Sequence, residues 1–237
     1  MTPISLSPLV ETPKLRILDT LPADARFLRG EILPRLLAAA NSLPDGQQLL
    51  VIEAFRIQSR QFGMWNRRIA KLAQLRVLRD LRDGVAAGGD ALALIDAALE
   101  AKPDIDSLRE ETRVTVADPV ATPSGHQSAT AIDVTILHDG EPLDMGCGWS
   151  DFAAITPTSN RVQTMSPDIT PAQAANRAHL LAVMEAQGLV NYPEEWWHYS
   201  YGDRLWHEVL TGRGENPGPV KYLPIFDNPA FAQHHAR

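Results

Sequence analysis

A single cysteine, Cys147, stands in a chain of 237 residues, so no disulfide can form within it and a reducing cytoplasm is the expected home. No apolar run approaches the roughly 20 residues that a bilayer-crossing helix needs. The opening stretch from Met1 to Glu11 has neither a basic start nor an unbroken apolar segment, which argues against a secretory signal. Positive charge is also scarce: 22 Lys and Arg against 29 Asp and Glu leave a formal charge of −7 and a pI near 5.5. Neither nucleic acid nor an anionic membrane would attract such a chain overall, and a small-molecule partner fits better. The helical zinc motif His-Glu-X-X-His is missing as well, since His207-Glu208 is followed by Thr211 where the second His would stand. There is no internal repeat. What remains is a globular chain, 44% hydrophobic, able to bury a sizeable core.

The pattern of apolar residues organises most of the chain. Residues 31–42 predict a helix, with Pro34 tolerated only near the first turn and Pro44-Asp45-Gly46 as its stop. The apolar run 49–55 predicts a buried strand that delivers Arg56 at its end. From Gln58 to Arg82, Phe62, Trp65, Ile69 and Leu72 recur at helical spacing among seven arginines and lysines, which suits a solvated helix face; Gly84 and Gly88-Gly89 should break this helix. A short helix is expected over 90–101. Residues 74–111 contain too few large apolar side chains for a core of their own, so they predict a helical insertion rather than an independent domain. Residues 131–136 alternate as a strand with Ile132, Val134 and Ile136 on one face and Asp133 on the other, before a hairpin turn at Asp139-Gly140. Thr170-Pro171-Ala172-Gln173 is a capping-box start for an amphipathic helix that Gly188 ends. The aromatic stretch 192–201 suits a strand, and residues 213–237 predict a tail wrapped on the surface.

A catalytic zinc site takes three ligands from His, Asp, Glu or Cys, keeps a fourth position open, and needs a carboxylate to accept a proton from water. His126 in a loop, Asp133 seven residues on, and the distant Glu195-Trp196-Trp197-His198 offer such a set. Spacing alone leaves the alternatives open: a His and an Asp seven apart also occur as turn residues or as satisfied hydrogen-bond partners. His138, His179, His207, His234 and His235 have no partner at ligand spacing and are expected at the surface. Cys147, between two glycines, is expected to pack rather than to ligate.

Ser124-X-His126-X6-Asp133 followed far downstream by Glu195-X-X-His198 within Glu-Trp-Trp-His-Tyr resembles the signature of the D-alanyl-D-alanine dipeptidases, the branch of the M15 zinc metallopeptidases that includes vancomycin-resistance enzymes. Phe55-Arg56 is similar to that family's Tyr-Arg, Asp144-Met145-Gly146 to its Asp-Met-Gly, and Asn176-Arg177 opens a helix leading to the same aromatic segment. The resemblance covers residues 30–72 and 115–210. It implies an α+β fold in which a small antiparallel sheet carries the zinc site between flanking helices, as in the hedgehog and D,D-peptidase fold. It further implies one Zn2+ per chain on His126, Asp133 and His198, Glu195 as general base, Arg56 steadying the oxyanion, Ser124 on the substrate carboxylate, and hydrolysis of D-Ala-D-Ala or a similar small dipeptide by metal-activated water.

The chain departs from the pattern in places. The usual Ser-X-His-Ser-Arg-Gly reads Ser124-Gly125-His126-Gln127-Ser128-Ala129, the usual Asp-Gly-Tyr-Arg reads Glu53-Ala54-Phe55-Arg56, and Ile57 replaces a proline. These changes touch the pocket wall and hence substrate identity. Regular strand alternation would also put Glu194, not Glu195, on the face of His198; Pro193 at the entry is the reason to prefer Glu195. Two other readings compete: a D,D-carboxypeptidase or endopeptidase acting on peptidoglycan stems, and a non-catalytic module holding zinc for structure.

Overall fold

The structure, a computed structural model, describes residues 4–101 and 103–226. In chain order the strands are β1 (Leu6–Pro8), β2 (Leu15–Ile17), β3 (Phe27–Arg29), β4 (Gln47–Glu53), β5 (Ala131–His138), β6 (Glu141–Pro142), β7 (Ile155–Thr156), β8 (Ser159–Asn160), β9 (Val190–Asn191) and β10 (His198–Ser200). The helices are α1 (Ile32–Asn41), α2 (Gln58–Ala86), α3 (Ala91–Glu100), α4 (Ile105–Arg113), α5 (Pro171–Glu185) and α6 (Arg204–Gly212). They fall into two compact units: residues up to Ile57 together with those from Ser124 onward, and Gln58–Pro123.

The first unit is built on a sheet of order β2-β4-β5-β10-β9, with β6 hairpinned onto β5. As expected it is an α+β arrangement, and the sheet is antiparallel except at one edge, where β2 runs parallel to β4. One sheet face is apolar: Leu49 and Val51 from β4 and Ile132, Val134 and Ile136 from β5 bury against Leu36, Ala39 and Ala40 of α1 and Leu180, Val183 and Met184 of α5. The opposite face of β5 carries Asp133 and Thr135. Asp139 and Gly140 close the β5–β6 hairpin with φ of 51° and 88°, the mirror-image turn whose twist suits a two-residue connection. Helix α5 starts as its residues dictate, with Thr170 Oγ1 accepting from the Gln173 N–H while the Gln173 side chain accepts from the Thr170 N–H.

Two expectations about local structure need correction. The stretch 192–201 is a strand only from His198; before it the chain makes two turns, closed by Glu195 N–H to Tyr192 O at 3.0 Å and His198 N–H to Glu195 O at 3.2 Å. Pro193 has no N–H to give a sheet and restricts Tyr192, so aromatic β-propensity is overridden at this point. In the second unit, α2 runs through Gly84 to Ala86. A Cβ on Gly84 would stand 2.8 Å from Leu94 of α3, so the missing side chain serves close helix packing rather than a stop, and the break comes at Gly88, φ 86°.

That second unit is all helical. Asp90 and Asp104 cap α3 and α4 with their carboxylates, and Arg76 of α2 reaches Glu111 and Ser107 of α4. After α6 the described residues of the first unit form no regular structure, but the chain is pinned where Lys221 and Tyr222 donate to Gly202 O and Ile225 donates to Gln127 O. Residues 227–237 of the expected tail lie outside the described residues, as do His234 and His235.

Candidate active site

Three adjacent strands set one row of polar side chains. In the antiparallel register Glu53 of β4 faces Asp133 of β5, and Asp133 faces His198 of β10. His126 joins them from a short 3-10 turn, Gly125–Ser128, that precedes β5. The Asp133 carboxylate Oδ1 lies 3.3 Å from His126 Nε2 and 3.0 Å from His198 Nδ1, and the two rings meet edge to face. All three residues are buried, and their candidate ligand atoms lie within 4.8 Å of one another.

The donor set suits zinc. Tetrahedral bonds of ~2.0–2.2 Å put neighbouring ligand atoms about 3.3 Å apart, close to the two distances from Asp133 to the imidazoles. His126 Nδ1 sits 2.7 Å from Ala54 O, an acceptor only, so Nδ1 donates there and Nε2 is the nitrogen turned toward Asp133. Burial alone would raise the Asp133 carboxyl, yet the charges of His126 and His198 and their hydrogen bonds hold it below the usual carboxylate range. For His198 burial works the other way and is outweighed by the hydrogen bond and charge of Asp133, so its imidazole is pushed up.

The turn that carries His126 is held with little freedom. Ser124 Oγ accepts from the His126 N–H at 3.1 Å, and Gln127 Oε1 accepts from the Ser124 N–H. Ala129 ends the turn in the left-handed region, φ 57°, at the position where the resembled motif has glycine. A Cβ in that conformation costs about 1 kcal/mol. Gly125 has no such choice: a Cβ there would lie 2.2 Å from Asp203 Oδ2. Asp203 itself is buried, accepting from Thr130 Oγ1, Ser200 Oγ and the Trp206 N–H, so it ties the turn to the end of β10 and the start of α6.

Glu195 and Glu194 part ways at the two turns before β10. Glu195 Oε2 lies 3.9 Å from His198 Nδ1, whereas the exposed Glu194 accepts from Gln163 Nε2. Burial pushes the Glu195 carboxyl up to about 7, with Asp133 and Glu194 adding to the rise and His198 and Arg56 opposing it. Trp196 and Trp197 anchor this segment in the core, Trp196 N–H on Val162 O and Trp197 O under the Val134 N–H. Arg56, just beyond β4, is buried; its N–H donates to His126 O at 3.0 Å and its Nη2 lies 3.3 Å from Glu53 Oε2.

The sequence-predicted residues Arg56, Ser124, His126, Asp133, Glu195 and His198 therefore come together from four separate stretches of chain. Cys147 stands apart, half-buried, its thiol 3.2 Å from Arg161 O. His138 is exposed, and His179 and His207 are partly so, His179 facing Gln47 Oε1 at 2.8 Å. Three residues were not foreseen. Glu53, a lone carboxylate inside the apolar run 49–55, stands only as a departure from the motif's Asp with no role assigned, Asp203 carries the helix-capping signal Gly-Asp before an amphipathic stretch, and Asn191 has no local mark at all. Asn191 Nδ2 donates to both Glu195 O and His198 O, holding the two residues in one frame.

A family model described as D-ala-D-ala dipeptidase matches residues 88–212, just over half of the chain. The chain belongs to the D-ala-D-ala dipeptidase family of M15 peptidases. Among curated members, a D-alanyl-D-alanine dipeptidase of Synechocystis sp. is 35% identical over 108 residues, covering 43% of each chain. One of Streptomyces coelicolor is 39% identical over 83 residues, 34% of this chain and 38% of the relative, and one of Escherichia coli is 36% identical over 93 residues, 39% and 45%. The matches thus span less than half the length of these relatives. A solved structure, the vancomycin-resistance D,D-pentapeptidase VanY in complex with Zn(II), aligns over 90% of this chain and 86% of its own with 15% identity and a TM-score of 0.43.

Proposed function

We propose that the chain is a zinc metallodipeptidase that hydrolyses D-Ala-D-Ala or a similarly small dipeptide, with His126, Asp133 and His198 as the ligands of one Zn2+. The observation that carries this reading is the convergence of two imidazole nitrogens and one carboxylate oxygen beside an unspent carboxyl group, Glu195, and a guanidinium, Arg56. A module that held zinc only for structure would need neither of the last two.

The chemistry follows from where the groups sit. Zinc on these three side chains supplies a Lewis acid that polarises the scissile carbonyl and acidifies water. Glu195 takes the proton of the attacking water and returns it to the leaving amine, a role suited to a carboxyl whose affinity for protons is raised toward neutrality. Arg56, which stays charged, donates to the oxygen that gains charge in the transition state. Ser124 already uses its oxygen to accept from the His126 N–H, and keeps its hydroxyl proton for the substrate's terminal carboxylate.

We infer further that Gln58–Pro123 is an insertion into a single metallopeptidase domain: β4 and β5, which flank it in sequence, pair directly with each other. A reducing cytoplasm suits the free Cys147 thiol, and none of the described helices is long and apolar enough to cross a membrane.

The test is a product assay with zinc-loaded protein on D-Ala-D-Ala, L-Ala-D-Ala and a stem pentapeptide ending in D-Ala-D-Ala. Free D-alanine is expected from the first, and the pentapeptide should stay intact. Faster release of D-alanine from the pentapeptide would replace this reading with a D,D-carboxypeptidase.

A further inference from the structure

Strand β4 alternates until its last pair. Leu49 and Val51 enter the main core, and Leu50 and Ile52 pack on the other face with Leu137. Continued alternation would send Glu53 into the core behind Val51, the worst place for a carboxylate. Instead the register slips by one: Val51 faces Val134, and the next pair is Glu53 with Asp133, leaving Ile52 as the extra residue of a bulge. Such a bulge re-aims the side chains that follow it. Its effect here is to bring Glu53 onto the face of Asp133 and His198.

At that position Glu53 is 7% exposed and meets Arg56, 9% exposed, with Oε2 to Nη2 at 3.3 Å. The backbone of the same short segment is fastened to the His126 turn twice, by Ala54 O on the ring nitrogen and by the Arg56 N–H on His126 O. Those bonds fix where the Arg56 Cα is. They do not fix where a side chain with four torsions points. A second carboxylate, Glu195, is close enough for the charge of Arg56 to act on it, and a guanidinium that swung onto Glu195 would tie up the proton acceptor.

We propose that Glu53 is the positioning residue of Arg56: its carboxylate, turned inward by the bulge at Ile52, holds the guanidinium in its working orientation and off Glu195. This rests on the dipeptidase reading above. A donor held in place before the reaction needs no reorganisation as the oxyanion forms, so loss of Glu53 should appear in turnover more than in substrate binding. The chain also differs from the Asp of the resembled motif by one methylene, which lets its carboxylate reach further from β4.

The experiment uses the full chain loaded with zinc, with Glu53→Gln, Arg56→Ala and the double variant. Arginine Nε–H NMR, with Arg56 assigned by its loss in Arg56→Ala, reads the order of the guanidinium without reference to activity. Kinetics on D-Ala-D-Ala read its use. Glu53→Gln should broaden or average the Arg56 signal while zinc stoichiometry stays at one. It should lower kcat by on the order of 10- to 100-fold with a smaller change in KM, the usual scale for residues that orient a reacting group. In the double variant the loss should match Arg56→Ala alone. An unchanged Arg56 signal in Glu53→Gln, or costs that multiply in the double variant, would overturn the proposal. If Glu53→Gln does not fold, Glu53→Asp takes its place: a less ordered Arg56 with intermediate kcat supports the pairing, and wild-type values of both overturn it. Should the wild-type protein cleave no dipeptide, the dipeptidase reading fails, and the NMR comparison still decides what Glu53 does.

Discussion

The two units of this protein bury and expose opposite things. Among the described residues, those up to Ile57 and from Ser124 onward hold fifteen of the eighteen buried polar or charged side chains, among them Glu53, Arg56, His126, Asp133, Arg177 and His198. Residues 58–123 supply eight of the twelve large apolar side chains that stand exposed among the described residues, from Leu75 to Val114. A buried polar group is tolerable only when its hydrogen bonds are met, so the first unit is committed to one geometry by its interior. The second unit, with Trp65, Leu72 and Leu108 as its buried large apolar side chains among the described residues, has little interior to commit. Precision has been placed where chemistry needs it.

The largest effect should come from the group nearest the reacting atoms. On the proposed mechanism Glu195→Gln is expected to lower kcat by about 10²- to 10⁴-fold while zinc content is unchanged, since it would remove the proton acceptor and touch none of the proposed ligands. Glu194→Gln should change kcat by less than about threefold, because Glu194 points out to Gln163. Steady-state kinetics with elemental analysis decide this; a reversal of the two would mean that the turns before β10 present the other glutamate.

Next in size is the loss of core. Leu36 of α1 is completely buried between sheet and helix, and Leu36→Ala should cost about 2–5 kcal/mol in a urea melt, the range for cavity formation in a packed interior. A cost under about 1 kcal/mol would mean that the first unit collapses around the hole as readily as a loosely packed one.

The polar interior has its own signature in pH once zinc is stripped. The folded-state carboxyl of Glu195 is raised to about 7 from 4.5, so its contribution to stability is complete below the unfolded value and is lost as pH rises through 7. His198, also raised, acts in the same direction. Asp133, which is lowered, acts oppositely: its contribution is present above the unfolded value of 3.8 and is lost as pH falls. Metal-free protein should therefore be less stable at pH 8.5 than at pH 5.5, and Glu195→Gln should flatten part of that slope. Urea midpoints at the two pH values measure it, and a metal-free protein that gains stability with pH would contradict the sign.

Much of this was written in local pattern. The capping box at Thr170, the alternation of 131–136 and the Asp139-Gly140 turn follow from short-range rules of spacing and turn chemistry, whereas spacing left the four stretches of the site open and only the resemblance to a family joined them. What could not be read is decided by partners distant in sequence. The bulge at Ile52 has no mark within the apolar run 49–55, because only the register against β5 singles out one residue as extra. Ala129 hides a left-handed turn that glycine would have announced. The turns before β10 begin with a local cause, Pro193, but how far they run is set by Thr164, distant in sequence, whose N–H donates to Pro193 O and whose hydroxyl donates to Asn191. Gly84 signals a break by composition yet sits inside α2 because Leu94 needs the room.

The smallest effects should lie in the helical unit, and they test the comparison from its other side. Leu75 of α2 and Leu92 of α3 are 49% and 73% exposed, so replacing either with glutamine returns little apolar surface to water. Leucine and glutamine have nearly equal helix propensity, which removes the backbone contribution as well. Each substitution should change stability by less than about 0.5 kcal/mol and leave zinc content and kcat as they were. Measured by urea melts and circular dichroism, a loss well beyond that in either variant would mean that the exposed leucines are covered in solution. The helical unit would then have a committed surface of its own, and the contrast between the two units would be one of partner rather than of packing.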